Sequence, residues 1–448
     1  MKKISVKIIA VLCALCTLLM IAVPSVGAIT FTPDVNVRSE AVLMVHRDIG
    51  QVVYEKNADE KRYPASTTKI MTFIIAYEHI SDLDNTQIPI KKAVLDKLKG
   101  TDSSVADLAD RVGKTMSGID LMYSMMVPSG NDAALTLADY VGGGDTDKFV
   151  QMMNDKADEL GCENTHFANP DGLHDNNHYT TARDLYKITT YAMTLPRFME
   201  ICNTTRYFCQ GDEYPLITTN YLIDNSTQYY YTYAEGIKTG TTDQAGRCLV
   251  TTATADGNSY ILILLGAPYK AGEQEEYYTF IDAAALFRWA LVGLELQTVK
   301  SSSTPICEQK LKLAWGRDTV TLVPQKDLNA IMPSGLKPEE IVVETEVDEV
   351  LEAPMRTDTP VGKAVVYYVN AKTGEKQALA TVDLVPSENI DRSALLAVLD
   401  VIATIFRSYW FIVVFAVIVL IVVIYMIVSK IHRRRQRERR KVKNYRKF

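Results

Sequence analysis

Ser66 and Lys69 stand three residues apart in YPASTTKIMT, at the start of the apolar run TKIMTFIIAYEHI. On a helix that spacing puts both side chains on one side, one turn apart. A serine hydroxyl is inert until a base takes its proton. A lysine serves as that base only when burial and neighbouring cations lower its pKa. Two further stretches carry compatible groups: Ser129 and Asn131 in MVPSGNDAA, and Lys238-Thr239-Gly240-Thr241 in EGIKTGTTDQAG. Acyl transfer needs a nucleophile, a base, an oxyanion hole and a clamp on the substrate. Ser66 supplies the hydroxyl, at a helix N-terminus that favours developing negative charge. Lys69 is the base, with Lys238 as a cation that would depress its pKa. Ser129 can relay a proton to a leaving amine, and Asn131 can hold a substrate amide. Lys238 and the hydroxyls of Thr239 and Thr241 suit a terminal carboxylate. Gly240 would let a substrate backbone lie against the strand.

Each of these patterns is weak alone, because the chain contains a second copy of each. S-x-x-K recurs at Ser334 and Lys337, K-T-G at Lys372-Thr373-Gly374, and S-x-N at Ser387 and Asn389. Context separates the sets. Ser334 precedes Gly335 and Lys337 precedes Pro338, which excludes a helix there. The second set also places K-T-G before S-x-N. Gly374 is expected to turn a hairpin between AVVYYVNA and EKQALATV.

The elements that must position the first set follow from periodicity. SEAVLMVHRDIGQVVYEKNADE reads as two short strands around a turn at Asp48-Ile49-Gly50. The run after Ser66 is apolar on nearly all sides, as in a buried helix. GIDLMYSMMV, NDAALTLADYV, TDKFVQMMNDKADELG and ARDLYKITTYAM have helical periodicity, and a long polar loop containing His174 and His178 precedes the last. GIKTGTT, RCLVTTATA and SYILILLGA read as strands, followed by the helix YYTFIDAAALFRWALVGLE. Strands at both ends with helices between give an α/β (α+β) domain with a mostly antiparallel sheet. Five alternating segments from CEQKLKLAW to KQALATVDLV predict a small all-β domain.

The chain ends are different in kind. MKKISVKIIAVLCALCTLLMIAVPSVGA has a basic start, an apolar run and a small-x-small site, the pattern of a cleaved secretory signal over residues 1–28. Residues 409–428 are apolar and uncharged, long enough for a transmembrane helix. The tail from Lys430 holds eleven Lys/Arg against one Glu, which predicts a cytoplasmic C-terminus and an extracytoplasmic catalytic domain. With the +10 tail and +3 leader set aside, the net charge of −6 becomes −19, which argues against a nucleic-acid partner. The expected organisation is a catalytic domain over 29–297, a linker 298–305, a β-rich domain 306–388, a juxtamembrane helix 389–408, the span 409–428 and a basic tail 429–448. Five cysteines lie beyond the leader, with no C-x-x-C pair and hence no zinc pattern. Cys202 and Cys209 are either bridged or separate thiols. No metal or cofactor is called for.

PASTTKIMT, VPSGNDAA, FANPDGLHDNNHYTTARDL and IKTGTTDQAG resemble, in order, segments of the serine D-alanyl-D-alanine carboxypeptidases, the low-molecular-mass penicillin-binding proteins of peptidase family S11. The resemblance covers about residues 39–295 and implies a β-lactamase/transpeptidase-like domain. It implies Ser66 as nucleophile, Lys69 as base, and Ser129 and Asn131 assisting both half-reactions. The N–H groups of Ser66 and Thr241 would form the oxyanion hole. The substrate would be a peptidoglycan stem peptide ending in D-Ala-D-Ala, with β-lactams as covalent inhibitors. Two departures stand out. Thr241 replaces a histidine found in some members, and Glu273 stands where some have an arginine, with Lys270 the only nearby cation. Two other functions are weighed. A β-lactamase would want an E-x-x-L-N segment, and only Glu159-Leu160-Gly161 comes near. A non-catalytic receptor for wall fragments would not need Ser66, Lys69 and Lys238 intact.

Overall fold

The computed structural model describes residues 33, 35–101, 103–271, 274–336, 340–369, 374 and 376–445. The expected signal, Lys337, Lys372, Thr373 and Glu273 lie outside the described residues.

Two compact units are present. The first holds the described residues up to Val299, with Asn329–Val343 and Val365–Ala380. Its centre is a five-stranded sheet. The strands are β1 (Ala41–His46), β2 (Gln51–Lys56), β3 (Ala234–Thr242), β4 (Gly246–Ala255) and β5 (Asn258–Ala267). Their order is β2-β1-β5-β4-β3, and every pairing is antiparallel. All six residues of β1 are buried, because both faces of the sheet are covered. Leu43, Val45, Val250, Ile261 and Ile263 face one core with α1 (Lys69–His79), α2 (Gly118–Met126), α3 (Asn131–Val141), α4 (Thr146–Glu159) and α5 (Ala182–Ala192). Val42, Met44, Leu262 and Leu264 alternate to the other face, against Phe280, Leu286 and Phe287 of α6 (Tyr278–Gly293). β3 therefore forms an open edge of the sheet.

α1 owes its burial to composition: Ile70, Met71, Phe73, Ile74 and Ile75 leave no polar face, and each is at most 1% exposed. The stretch expected as a linker opens as strand instead. β6 (Leu294–Lys300) runs to Lys300 and pairs with β9 (Leu328–Pro333), a strand absent from the sequence reading. Ile331 of β9 packs with Val42 and Met44, and the Gln51 side chain bonds both backbone groups of Ile331, at 2.9 and 2.6 Å. These contacts group β9 with the first unit.

The second unit holds Lys300–Leu328, Glu344–Ala364 and the chain from Thr381. β7 (Cys307–Lys312) pairs antiparallel with β8 (Thr319–Pro324) and parallel with the short β11 (Val350–Glu352). β8 continues antiparallel to the end of β13 (Lys376–Pro386). β10 (Ile341–Val347) and β12 (Gly362–Val369) complete a sheet of order β10-β12-β13-β8-β7-β11. Gly374 has φ +72°, as the expected hairpin turn requires. Helix α7 (Ala394–Arg407) leads to α8 (Tyr409–Tyr445), whose segment Tyr409–Arg437 is long and apolar enough to cross a bilayer and fits a membrane anchor.

Candidate active site

Ser66 lies in a 3₁₀ turn, Ala65–Thr68, that runs into α1 at Lys69. Ala65 is held at φ +48°, a conformation rare for a residue with a side chain. Thr67 Oγ1 donates to the Pro64 carbonyl and Thr68 Oγ1 to the Ala65 carbonyl, both at 2.7 Å, which ties the turn shut. Lys69 Nζ donates to Ser66 Oγ at 2.9 Å, Asn131 Oδ1 at 2.6 Å and the Asp171 carbonyl at 2.6 Å. These three acceptors match the three protons of an ammonium. A neutral amine keeps two donors for the shorter contacts and turns its lone pair to the Ser66 hydroxyl. Burial lowers the Lys69 pKa to about 8, and the Asp171 and Asp132 carboxylates oppose that shift. Burial is the largest cause at Lys69, and the two buried cations repel each other. Burial, then the charge of Lys69, hold Lys238 well below its ordinary value.

The S-x-N turn forms by a different device. Ser129 takes φ +65° and is buried, and Asn131 opens α3. The Asp132 carboxylate accepts from the amides of Ala106, Leu108 and Ala133, at 2.8–3.0 Å. This ties the loop of Ser104 over the turn, and Asn131 N donates to the Ser104 carbonyl at 2.9 Å. On β3, Lys238 is buried and its Nζ donates to the Thr239 carbonyl at 3.0 Å. Thr239 Oγ1 meets Thr219 Oγ1 at 2.5 Å, while Thr241 is exposed to the cleft.

Gly240 has a reason other than the one expected. A Cβ there would lie 2.9 Å from the Pro64 carbonyl and 3.0 Å from Ser66 N. The missing side chain lets β3 press against the Ser66 turn. Gly172 is tighter still: φ is +87°, and a Cβ would fall 2.0 Å from the Ala65 carbonyl. A Gly172→Ala chain is therefore expected to lose on the order of 3 kcal/mol of stability, read by urea unfolding of the full chain in detergent. A change under about 0.5 kcal/mol would show that the loop sits elsewhere.

All eight residues singled out from the sequence thus meet around one cleft. Two lobes of about 180 and 410 Å³ both reach Ser66, Ser104 and Thr241. Sequence reasoning missed the carbonyl of Asp171, the loop of Ser104, the clamp of Asp132, and Arg247, which lines the smaller lobe. Only Asp171-Gly172 carried a signal, as a turn. His174 is exposed, lines the larger lobe and packs edge-on against Tyr63 at 4.7 Å. His178 is structural: Nδ1 accepts from Ala168 N at 3.1 Å, which leaves Nε2–H to donate to Thr68 Oγ1 at 2.7 Å. Burial lowers its pKa to about 3, so it stays neutral through the physiological range. His178→Ala is expected to lower stability by about 1–3 kcal/mol while leaving the pH profile of turnover above pH 5 unchanged in shape. A lost inflection in that profile would instead make His178 a titrating participant. Among the described residues of the second motif set, Asn389 Oδ1 accepts from Thr357 N at 3.0 Å. Cys162, Cys202, Cys209, Cys248 and Cys307 are all free thiols, so Cys202 and Cys209 are not bridged.

A hydroxyl hydrogen-bonded to a buried lysine of lowered pKa, set between a sheet edge and a helical block, defines a serine hydrolase of the penicillin-binding protein fold. The chain belongs to the D-alanyl-D-alanine carboxypeptidase family, peptidase S11, whose pattern matches residues 28–269. Residues 295–392 match the C-terminal domain of penicillin-binding protein 5. The D-alanyl-D-alanine carboxypeptidase DacA of Escherichia coli K12 is 27% identical over 429 residues, 90% of this chain and 97% of its own. A D-alanyl-D-alanine endopeptidase of Pseudomonas aeruginosa is 33% identical, across 57% of this chain and 78% of its own. The crystal structure of penicillin binding protein 5 from Haemophilus influenzae superposes with a TM-score of 0.64 at 25% identity, covering 80% of this chain and 99% of its own.

Proposed function

We propose that the protein is a membrane-anchored carboxypeptidase that removes the terminal D-Ala from peptidoglycan stem pentapeptides through an ester on Ser66. The observation that carries this reading is the buried Lys69 amine, 2.9 Å from the Ser66 hydroxyl. In the first half-reaction Ser66 Oγ attacks the penultimate carbonyl and its proton passes to Lys69. The Ser66 and Thr241 amides receive the oxyanion. The amide C–N bond breaks, and Ser129 delivers the proton to the departing D-Ala amine. Asn131 holds the substrate amide, and Thr239 and Thr241 face the terminal carboxylate, with Lys238 and Gly240 shaping that strand. Water then cleaves the ester and returns the proton to Ser66. A β-lactam would be opened by the same attack and stay attached.

The same reading takes residues 1–28 as a secretory signal and 29–297 as the catalytic domain outside the cell. Beyond β6, which ends at Lys300, the small β-rich domain is taken as 306–388, followed by a juxtamembrane helix at 389–408. Residues 409–428 span the bilayer, and the basic tail 429–448 stays in the cytoplasm. The apolar Tyr409–Arg437 helix and the excess of Lys/Arg after it support this topology. Cleavage of cross-links is the second reading, favoured by the endopeptidase among the relatives. A β-lactamase is disfavoured because Glu159 is exposed and paired with Lys156 at 2.9 Å, away from the cleft. The test is the full chain in detergent with a fluorescent penicillin and with a stem pentapeptide. Covalent labelling together with release of free D-Ala supports the reading. Labelling followed by rapid loss of the label, without D-Ala release, would make the protein a β-lactamase.

A further inference from the structure

We propose that Asn220 is a positioning residue for acyl transfer: it holds a bulge at Gly236 that turns Lys238 toward the Ser66 side of the sheet. The inference rests on the acyl-enzyme reading above. In the β3–β4 ladder Glu235 pairs with Thr252, and Lys238 pairs with Val250. Gly236 and Ile237 therefore face Thr251 alone, two residues against one, which is a β-bulge. The bulge decides which face Lys238 takes. Val250 and Cys248 belong to the core shared with the helices, whereas Leu249 belongs to the core against α6. Residues directly opposite in a ladder share a face. Without the bulge Lys238 would oppose Leu249 and point toward α6, and a slip of one residue would flip the rest of the strand with it. With the bulge, Lys238 opposes Val250 and Gly240 opposes Cys248, so both lie on the helical side. Thr239 and Thr241 alternate to the smaller lobe. Two features of the site depend on this phase. Lys238 is buried where it feels the charge of Lys69, and Gly240 lets β3 close on the Ser66 amide.

A bulge disrupts the ladder locally, and backbone groups left out of it need other partners. Both groups of Gly236 are met by asparagine side chains. Asn220 Nδ2 donates to the Gly236 carbonyl at 2.7 Å, and Gly236 N donates to Asn203 Oδ1 at 2.6 Å. β3 is the edge strand, so these side chains stand where a neighbouring ladder would. Asn203 is exposed, but Asn220 is only 3% exposed and is fixed from several sides. Its Oδ1 accepts from Leu222 N and its own N–H donates to Thr218 Oγ1, both at 3.1 Å. The segment around it is tied in turn: Thr219 N donates to the Val127 carbonyl at 3.2 Å, and Tyr231 N to the Leu222 carbonyl at 2.9 Å. Asn220 thus presents a rigid, buried amide to the one peptide that sets the phase of Lys238. A buried carbonyl that loses its donor is costly, so the bulge is expected to relax when that amide is removed.

The experiment follows the rate and the final extent of labelling by a fluorescent penicillin, on the full chain in detergent. It compares Asn220→Leu, Lys238→Gln, the double variant and Gln51→Leu. Gln51 is the control, because it also clamps both backbone groups of one residue, Ile331, at the opposite edge of the sheet. Asn220→Leu should label to the same final extent as the unaltered chain, about 30-fold more slowly. Gln51→Leu should slow labelling by less than about 3-fold. Lys238→Gln should slow it by about 100-fold, and adding Asn220→Leu should cost less than about a further 3-fold, because the asparagine acts through Lys238. A merely structural role would lower the labelled fraction at an unchanged rate, or slow Gln51→Leu equally, and either result overturns the proposal. So does a full further loss of about 30-fold in the double variant. If Asn220→Leu does not fold, Asn203→Ala at the exposed partner of the same bulge decides. It should slow labelling about 5-fold, and by less than about 2-fold in the Lys238→Gln background, whereas an unchanged rate overturns the proposal. An unaltered chain that takes up no label sinks the acyl-enzyme reading instead.

Discussion

Ser66→Ala is expected to take up no fluorescent penicillin and to release D-Ala at least ~10⁴-fold more slowly than the unaltered chain. The size of the effect follows from what the turn leaves available. Thr67 and Thr68 are adjacent hydroxyls, but each donates to a carbonyl of the turn itself, to Pro64 and Ala65 at 2.7 Å. Neither can replace the nucleophile without opening the structure that aims it. The substitution removes one oxygen whose contacts are Lys69 Nζ at 2.9 Å and the Asp171 carbonyl at 3.4 Å. Lys69 keeps its two shorter bonds to Asn131 and Asp171. Stability should therefore change by no more than about 1 kcal/mol, so lost activity will not be lost fold. Mass spectrometry of the penicillin-treated chain reads the adduct directly. An adduct that survives in the alanine variant places the nucleophile elsewhere.

The second large effect belongs to Lys69. Lys69→Met keeps most of the buried volume and removes the base, so D-Ala release should fall by ~10³- to 10⁵-fold. The pH dependence gives an independent reading. The base acts only when neutral, and burial brings its pKa from 10.5 to about 8. The rate constant kcat/KM of the unaltered chain should rise about tenfold per pH unit below pH 8 and level off above it. At pH 7 about a tenth of sites then hold the neutral amine, against well under a thousandth for an ordinary lysine. Stability has a linked signature. Between pH 8 and 10.5 the unfolded chain binds the Lys69 proton and the folded chain does not, so this group's contribution to stability rises with pH across that window. Lys69→Met should flatten that rise. A profile that inflects near pH 10, or a Met variant with unimpaired turnover, would show that Lys69 is not the base.

Much of the site was legible in the sequence, because the chemistry is carried by short motifs on regular elements. The spacing of Ser66 and Lys69 has meaning once TKIMTFIIAYEHI is seen as a buried helix, and the strand of Lys238 announces itself by alternation. The elements that failed to announce themselves are short or irregular. β9 does not alternate, because Ala330, Ile331 and Met332 are buried in succession, and β11 has three residues, too few for a period to show. β6 begins directly after Gly293 and was hidden behind a serine-rich stretch that reads as a linker.

Local sequence by itself determined the buried helix behind Ser66, the order of the three motifs and the apolar C-terminal helix. Each follows from residues within one or two turns of one another, where periodicity and turn chemistry act. Only the tertiary structure decided what surrounds Ser66. The Asp171 carbonyl reaches Lys69 from 102 positions away in the chain, and Arg247 comes from the strand after Thr241 through a bulge. Gly172 and Gly240 are glycines because two other segments press on the Ser66 turn. Backbone carbonyls, close approaches and burial have no residue-type signature. They exist only when the chain is packed, and it is packing that brings the pKa of Lys69 into working range.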